Sequence, residues 1–413
     1  MLAQAAGDVE IDISRADVER LASEHGDAFY LLDLDRVTAA HAALLEPFRR
    51  RHPATVVAYS VKTNYMPRLL QRMRELGSLA EVVSEMEYQI ALKAGFEPGQ
   101  ILVNGAVHRE EFLERLLLQG VRLNLDGWYM LEKLHDVSRA HPHQIFHVGL
   151  RLSYPVPDAE VSRFGFETSE PGMRRLADWF RVHENCELIG FHSHFCFAPN
   201  RVDAYRARIA GLVDAAAWFP QARLSYLDLG SGFRHGGDGP SFAEIADAVT
   251  GVLEDRFSAA ERPTLVIEPG TAIVGHSMAF VCRVYDVKTV AGQALALVNG
   301  SSHSINTMGW RTRIPVEVVR TRNAPWGDGD GAPEFFDVVG NTAMERKDHI
   351  CAGIPGPVSP GDYLVFDKVG SYSCTMKPPF IHPCPAVIAR EQGRYEVVKR
   401  RETVDDFLRT YLF

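Results

Sequence analysis

Val56-Val57-Ala58-Tyr59-Ser60-Val61-Lys62-Thr63-Asn64 sets an apolar run directly ahead of a lysine. Residues 56–59 read as a buried strand. A lysine there is either solvated at the rim of a sheet or buried for chemistry. A buried amine is the usual means of holding an aldehyde cofactor as a Schiff base. The run also opens a series. Further apolar strands are predicted at 79–83, 101–103, 123–125, 146–152, 188–193, 226–229 and 265–268. Amphipathic, helix-length segments separate them, among them 66–76, 85–94 (ended by Gly95) and 109–118. Eight strands alternating with helices predict a (β/α)8 TIM-like barrel, a fold of about 250 residues. Its chemistry is carried at the C-terminal ends of the strands. Lys62, His194, Gly230 and Glu268 each stand at, or just after, such an end.

The pattern changes near Met278. Segments 280–290, 294–298, 315–319, 335–339 and 363–368 are short and rich in β-branched residues, and Gly/Pro/Asp clusters such as Gly327-Asp328-Gly329-Asp330-Gly331 divide them. An all-β C-terminal domain is expected. Residues 29–33 read as one more strand ahead of the barrel. The expected organisation is therefore 1–34 joining the β-domain, 35–275 as the barrel and 276–413 as the β-domain.

Composition narrows the function. Of the 413 residues, 46% are hydrophobic and 23% charged, enough for a large core. The formal net charge is -9, and no Lys/Arg-rich run stands among aromatics, which argues against a nucleic-acid partner. The six cysteines form no CxxC pair and read as reduced thiols of a cytoplasmic protein. No basic, apolar leader opens the chain, and no segment is apolar enough to predict a membrane span.

Five further motifs follow Lys62 in order. Gly77-Ser78-Leu79-Ala80-Glu81-Val82 places a carboxylate in the second strand. Gly190-Phe191-His192-Ser193-His194 puts two histidines at i and i+2, on one face of a strand. They suit either a metal or a ring stacked on one imidazole. Asp228-Leu229-Gly230-Ser231-Gly232-Phe233 is a glycine-rich turn able to form an anion nest. Ile267-Glu268-Pro269-Gly270-Thr271 ends a strand on a carboxylate, and Gly370-Ser371-Tyr372 lies in the β-domain.

In this order the motifs resemble those of the fold-type III pyridoxal-phosphate decarboxylases, the group of diaminopimelate, ornithine and arginine decarboxylases. The likeness runs from Phe29 to about Pro385. It implies pyridoxal 5'-phosphate as cofactor, Lys62 as its Schiff-base lysine and a candidate proton donor, and His194 stacked on the pyridine ring. Glu268 would face the ring nitrogen and keep the electron sink protonated. Gly230, Ser231, Gly232, Gly270 and Thr271 would surround the phosphate. Tyr372 would touch it or close the site; otherwise it is a core aromatic. Glu81 stands where the family often has Asp, near the ring; a buried structural carboxylate is the other reading. The loop Ser162-Arg163-Phe164-Gly165 resembles a family segment that holds the barrel mouth.

Three departures stand out. Thr271 replaces a phosphate-binding arginine, so phosphate affinity is expected to rest more on backbone donors. Phe197 replaces a serine that touches phosphate. Ala343, in Asn341-Thr342-Ala343-Met344-Glu345-Arg346-Lys347-Asp348, takes the place of the family cysteine. Asp348 keeps an expected role in binding a substrate amine across a homodimer interface with composite sites. The segment 300–311 is the expected specificity region and does not match the diaminopimelate form. Arg311, Arg313 and Arg346 are carboxylate binders or plain surface residues. The expected function is decarboxylation of an α-amino acid, either a diamino acid or a carboxylated conjugate such as a siderophore or other specialised-metabolite precursor. A racemase on the same cofactor, a non-catalytic cofactor-binding relative and a metal hydrolase on His192 and His194 are the alternatives.

Overall fold

The computed structural model describes the chain except residues 1–2, 6–8, 161, 196–197, 235–238, 306–312, 322–332, 346–347, 378 and 413, together with the side chains of 3 and 5. Two compact units result: Thr38–Ala272, and Met1–Val37 with Ile273–Phe413.

The first unit is the barrel. Its strands are β1 (Thr55–Ser60), β2 (Leu79–Val82), β3 (Ile101–Val103), β4 (Arg122–Leu125), β5 (Phe146–Ser153), β6 (Cys186–His192), β7 (Tyr226–Asp228) and β8 (Thr264–Ile267). All neighbours run parallel, and two pairings complete the ring. Leu265 of β8 is registered on Thr55 of β1, and Asn124 of β4 on Gly149 of β5. A two-residue strand, Phe166–Glu167, adds to β5 outside the ring. The helices between are α1 (Pro67–Glu75), α2 (Glu85–Lys93), α3 (Glu110–Leu118), α4 (Trp128–Ala140), α5 (Glu170–Val182), α6 (Val202–Ala216) and α7 (Phe242–Arg256). Their starts follow local chemistry. Pro67 opens α1, where its missing N–H costs nothing. The Ser84 side chain caps α2, and Ser241 with Glu244 forms a capping box on α7.

Strand side chains alternate inward and outward, so the ring fills in layers. Ala58, Leu79, Leu102, Tyr226 and Val266 pack together as one apolar layer. The Tyr226 ring fits because Gly149 and Gly190 face it: a Cβ at either position would lie 2.1 Å or 2.4 Å from tyrosine atoms. Two residues further along the same strands come Ser60, Glu81, Asn104, Asp228 and Glu268. All five are buried. The apolar layer is thus the floor on which a polar layer rests at the C-terminal end.

The second unit is built on an 11-stranded sheet. Its spine is the 13-residue strand Met278–Val290, longer than the short runs expected from sequence and bulged between Val284 and Asp286. Ala28–Asp33 pairs antiparallel with this strand and parallel with Ala386–Glu391. The helix Arg15–His25, capped by Ser14, packs Val18 and Leu21 against Phe29, Val281, Val365 and Ile388 of the sheet. The strands His349–Pro355 and Arg394–Lys399 were not expected from the sequence. The Gly327–Gly331 cluster lies outside the described residues.

Candidate active site

The strand before Lys62 ends at Ser60, and a single 3-10 turn, Val61–Thr63, carries the lysine past the strand end. Lys62 is neither fully solvated nor fully buried; its side chain is 32% exposed. Its Nζ lies 2.7 Å from Glu81 Oε2 and 2.7 Å from Ser60 Oγ, and the Ser60 hydroxyl donates to the same Glu81 oxygen at 2.6 Å. The lysine is therefore aimed by its own strand and by the next one.

Glu81 and Glu268 are bridged. Asn104, the first residue after β3, donates from Nδ2 to Glu81 Oε1 at 3.1 Å and to Glu268 Oε1 at 2.6 Å. Its own Oδ1 accepts from Asn124 Nδ2 at 2.8 Å, and Asn124 Oδ1 accepts from the Tyr226 hydroxyl at 2.5 Å. An amide has donors on one side and an acceptor on the other. This chain uses each, so Tyr226 in the apolar floor fixes the orientation of Asn104 above it. Sequence reasoning missed Asn104 and Asn124. The signal was present, because Asn104 stands directly after an apolar strand, as Lys62 and Glu268 nearly do.

His192, Asp228 and Glu268 bring ligand-type atoms within 4.8 Å of one another. The sequence reading assembled no such set. His192 Nε2 is 3.4 Å from Glu268 Oε2, a close contact without hydrogen-bond alignment. Burial opposes the charge on Glu268, but His192 and then Lys62 hold its carboxyl below the usual carboxylate range. Burial and the Glu268 carboxylate push Asp228 well above that range. Burial and mutual repulsion thus move the two neighbours in opposite directions. Burial and the Lys62 amine push the His194 imidazole well below its ordinary value, so it is neutral.

The glycine turn differs from the expected open nest. Gly230 N–H donates back to Asp228 Oδ1 at 2.9 Å, and Ser231 N–H to His194 Nδ1 at 3.1 Å. Gly232 N–H has no protein acceptor among the described residues. Gly230 is required by close approach: at φ 70° a Cβ would lie 2.3 Å from the Ser193 carbonyl oxygen. Gly270 is similar, since a Cβ there would meet the Thr63 hydroxyl at 2.0 Å. Ser60 N–H donates to the Pro269 carbonyl at 3.1 Å, so the turns bearing Lys62 and Glu268 brace each other. Thr271 is exposed. The 162–166 loop is tied down by Gly165 N–H, which donates to Asp126 Oδ1 at 3.1 Å. Asp126 also pairs with the buried Arg151 at 3.3 Å.

Two expected site residues belong to the other unit. Asp348 is buried, and both its oxygens are taken by backbone: Ser302 N–H donates to one at 2.9 Å and Thr342 N–H to the other at 2.7 Å. That geometry makes it the anchor of its own loop. Ala343 in this loop is exposed. Tyr372 is half-buried at φ 63°, a conformation costly for a non-glycine residue. Phe197, Arg311, Arg346 and the second half of the expected specificity segment lie outside the described residues. Arg313 opens a short strand and is exposed.

Residues 34–275 match the family model for the pyridoxal-dependent decarboxylase, pyridoxal binding domain. The chain belongs to the pyridoxal-dependent decarboxylase family. Its cofactor is pyridoxal phosphate, and its reaction class is amino-acid decarboxylation. Among curated relatives, a diaminopimelate decarboxylase of Methanothermobacter thermautotrophicus is 27% identical, over 96% of this chain and 94% of its own length. A probable chloroplastic diaminopimelate decarboxylase of Oryza sativa subsp. japonica is 29% identical, over 93% and 79%. Two solved structures share the fold. One is the diaminopimelate decarboxylase of M. jannaschii in complex with L-lysine (TM-score 0.83, 17% identity, 96% of this chain and 94% of that one). The other is the arginine decarboxylase of Paramecium bursaria Chlorella virus (TM-score 0.74, 20% identity, 91% and 99%). The barrel is accompanied by a separate sheet unit. No helix among the described residues is long and apolar enough to cross a membrane. The five described cysteines are free.

Proposed function

We propose that this decarboxylase acts on an α-amino acid with a polar distal group, with Lys62 holding pyridoxal phosphate and Glu268 facing the ring nitrogen. The substrate is a diamino acid or a carboxylated amino-acid conjugate of specialised metabolism. The observation that carries the reading is the continuous network Lys62–Glu81–Asn104–Glu268 at the C-terminal end of the barrel.

The residues present fit the cofactor. Lys62 offers an amine for its aldehyde, the ionised Glu268 an acceptor for a protonated pyridine nitrogen, and Gly232 an unclaimed N–H for its phosphate. When bound, the cofactor supplies an electron sink for the pair left as the Cα–carboxylate bond breaks. Glu81 and Ser60 aim the Lys62 amine from two strands. Glu268 keeps its negative charge because His192 and Lys62 stabilise it, while burial and Glu268 itself disfavour a second charge on Asp228. The neutral His194 ring offers a flat, uncharged face. Lys62 is the proton donor for the product Cα on this wall, and no thiol at position 343 is needed in that role.

The relatives named for diaminopimelate and arginine act on amino acids with polar distal groups, which supports that class. The segment 300–311 departs from the diaminopimelate pattern and favours the conjugate. We also propose a homodimer, checked by light scattering for twice the chain mass.

The deciding experiment is the absorption spectrum of the purified protein beside Lys62→Ala, before and after borohydride. An aldimine band in the wild type, trapped as a covalent adduct at Lys62, is expected. CO2 release is then screened with diaminopimelate, ornithine, arginine, lysine and carboxylated amino-acid conjugates. An adduct that persists in Lys62→Ala overturns the assignment of the lysine. CO2 release from amino acids with apolar side chains alone overturns the substrate class.

A further inference from the structure

Behind the glycine turn lies a buried cation. Arg208, midway along α6, is 2% exposed. Its Nη2 donates to the Leu229 carbonyl and, at 2.6 Å, to the Ser231 carbonyl. Its Nε has no hydrogen-bond partner among the described residues. Among the described residues no carboxylate forms an ion pair with it; the Tyr205 ring face, 5.1 Å away, is the nearest compensation, and Glu268 and Asp228 act only through space. A guanidinium stays charged in proteins. Buried and unpaired, it is costly unless an anion answers it.

The turn points to where that anion belongs. A peptide plane carries its C=O and N–H on opposite sides. The Ser231 carbonyl faces Arg208, so the N–H of the same plane, that of Gly232, points away from the guanidinium. The two lie close: a Cβ on Gly232 would be 3.2 Å from Arg208 Nη1. A positive side chain behind an outward N–H makes the far face of the turn electropositive.

We propose that Arg208 is a positioning residue for the cofactor's phosphate, supplying from behind the turn the positive charge that Thr271 does not. It acts through the Ser231–Gly232 peptide, by orienting its N–H and by its own field. This rests on the reading of the 229–232 turn as the phosphate side of the cofactor site.

The test compares pyridoxal phosphate with pyridoxal, which has the same ring and aldehyde without the phosphate. Dissociation constants of both are measured by absorbance for the wild type, Arg208→Lys, Arg208→Met and, as a control, Arg234→Gln, an exposed arginine just past the turn. Stabilisation of each apo-protein by inorganic phosphate is read as a shift in Tm. Losing a charge-assisted interaction predicts that Arg208→Met weakens pyridoxal phosphate about 10- to 100-fold. Pyridoxal binding stays as it was, and the phosphate-dependent rise in Tm disappears. Arg208→Lys, which keeps the charge, retains most of the preference. Equal weakening of both ligands makes Arg208 a mere scaffold for the turn and overturns the proposal. Loss of the whole preference in Arg208→Lys, or in Arg234→Gln instead, does the same. A wild type that forms the borohydride adduct yet shows no preference for the phosphate overturns this inference alone. A wild type that forms no adduct overturns the site reading as well.

Discussion

Asn104 Nδ2 sits 2.6 Å from Glu268 and 3.1 Å from Glu81, so one neutral amide spaces two buried carboxylates. Without it they would repel across a low-dielectric layer and lose a donor each. Hydrogen bonds to charged groups are worth about 1.5–3 kcal/mol. Asn104→Leu should therefore lower stability by about 2–5 kcal/mol and reduce kcat as Glu81 and Lys62 lose their alignment. Thermal unfolding and steady-state CO2 release check both. An unchanged Tm with unchanged kcat would show the bridge to be dispensable.

Glu268→Gln keeps the shape of the side chain and removes its charge. On the proposed reading the ring nitrogen then loses its anionic partner, and removal of the neighbouring charge lets Asp228 ionise more readily. A fall in kcat of about 10²- to 10⁴-fold is expected, the range for a group that controls a proton in the reaction. The borohydride adduct at Lys62 should persist, because the amine is aimed by Glu81 and Ser60. Loss of the adduct together with activity would mean that Glu268 serves folding of the site rather than chemistry.

Gly230→Ala meets two obstacles, a left-handed φ of 70° and a carbonyl oxygen 2.3 Å from the new Cβ. The turn must open away from Ser193, which also moves the Gly232 N–H. Pyridoxal phosphate affinity should drop at least about tenfold, with a lower Tm for the apo-protein. Isothermal titration and thermal unfolding read the two effects. Retained affinity would show that the turn does not hold the phosphate.

His41 is held at about 4 by burial, with a smaller push from Arg49, while its Nε2 contacts Ser78 Oγ at 2.9 Å. The folded value lies below the ordinary histidine value near 6.5. Between those two pH values the unfolded chain binds a proton that the folded chain does not. Stability therefore falls as pH drops through this window, by up to about 3 kcal/mol from this group. His41→Gln should flatten the slope of stability between pH 7 and pH 4.5 in urea titrations. An identical slope in the variant would assign the acid sensitivity elsewhere.

The barrel was legible because each apolar run ends where a polar residue is needed. Lys62, His194 and Glu268 could be found by that rule, and the structure brings Lys62 and Glu268 into one network. Asn104 obeys the same rule but carries no charge, so it looked like an ordinary residue opening a loop. Arg208 was invisible for a different reason. On a helix with arginines at 206 and 208, nothing local distinguishes the exposed one from the buried one. Its burial is decided by the turn at 229–232, more than twenty residues away in the chain. Asp348 drew attention by its charge, while the backbone N–H groups of 302 and 342 that meet its two oxygens left no mark in the sequence. The strand at 349–355 was hidden by Ala352 and Gly353, which are weak strand formers held in place by their neighbours in the sheet.

Lys62 follows the first strand of the ring and Glu268 the last, and these two strands are neighbours only because the ring closes there. During synthesis the lysine leaves the ribosome about 200 residues before its opposite wall exists. Pyridoxal phosphate cannot therefore find its complete set of contacts on a partly made barrel. Capture of the yellow cofactor becomes a timer for the end of barrel assembly, and stalled or truncated chains ending before residue 264 should stay colourless.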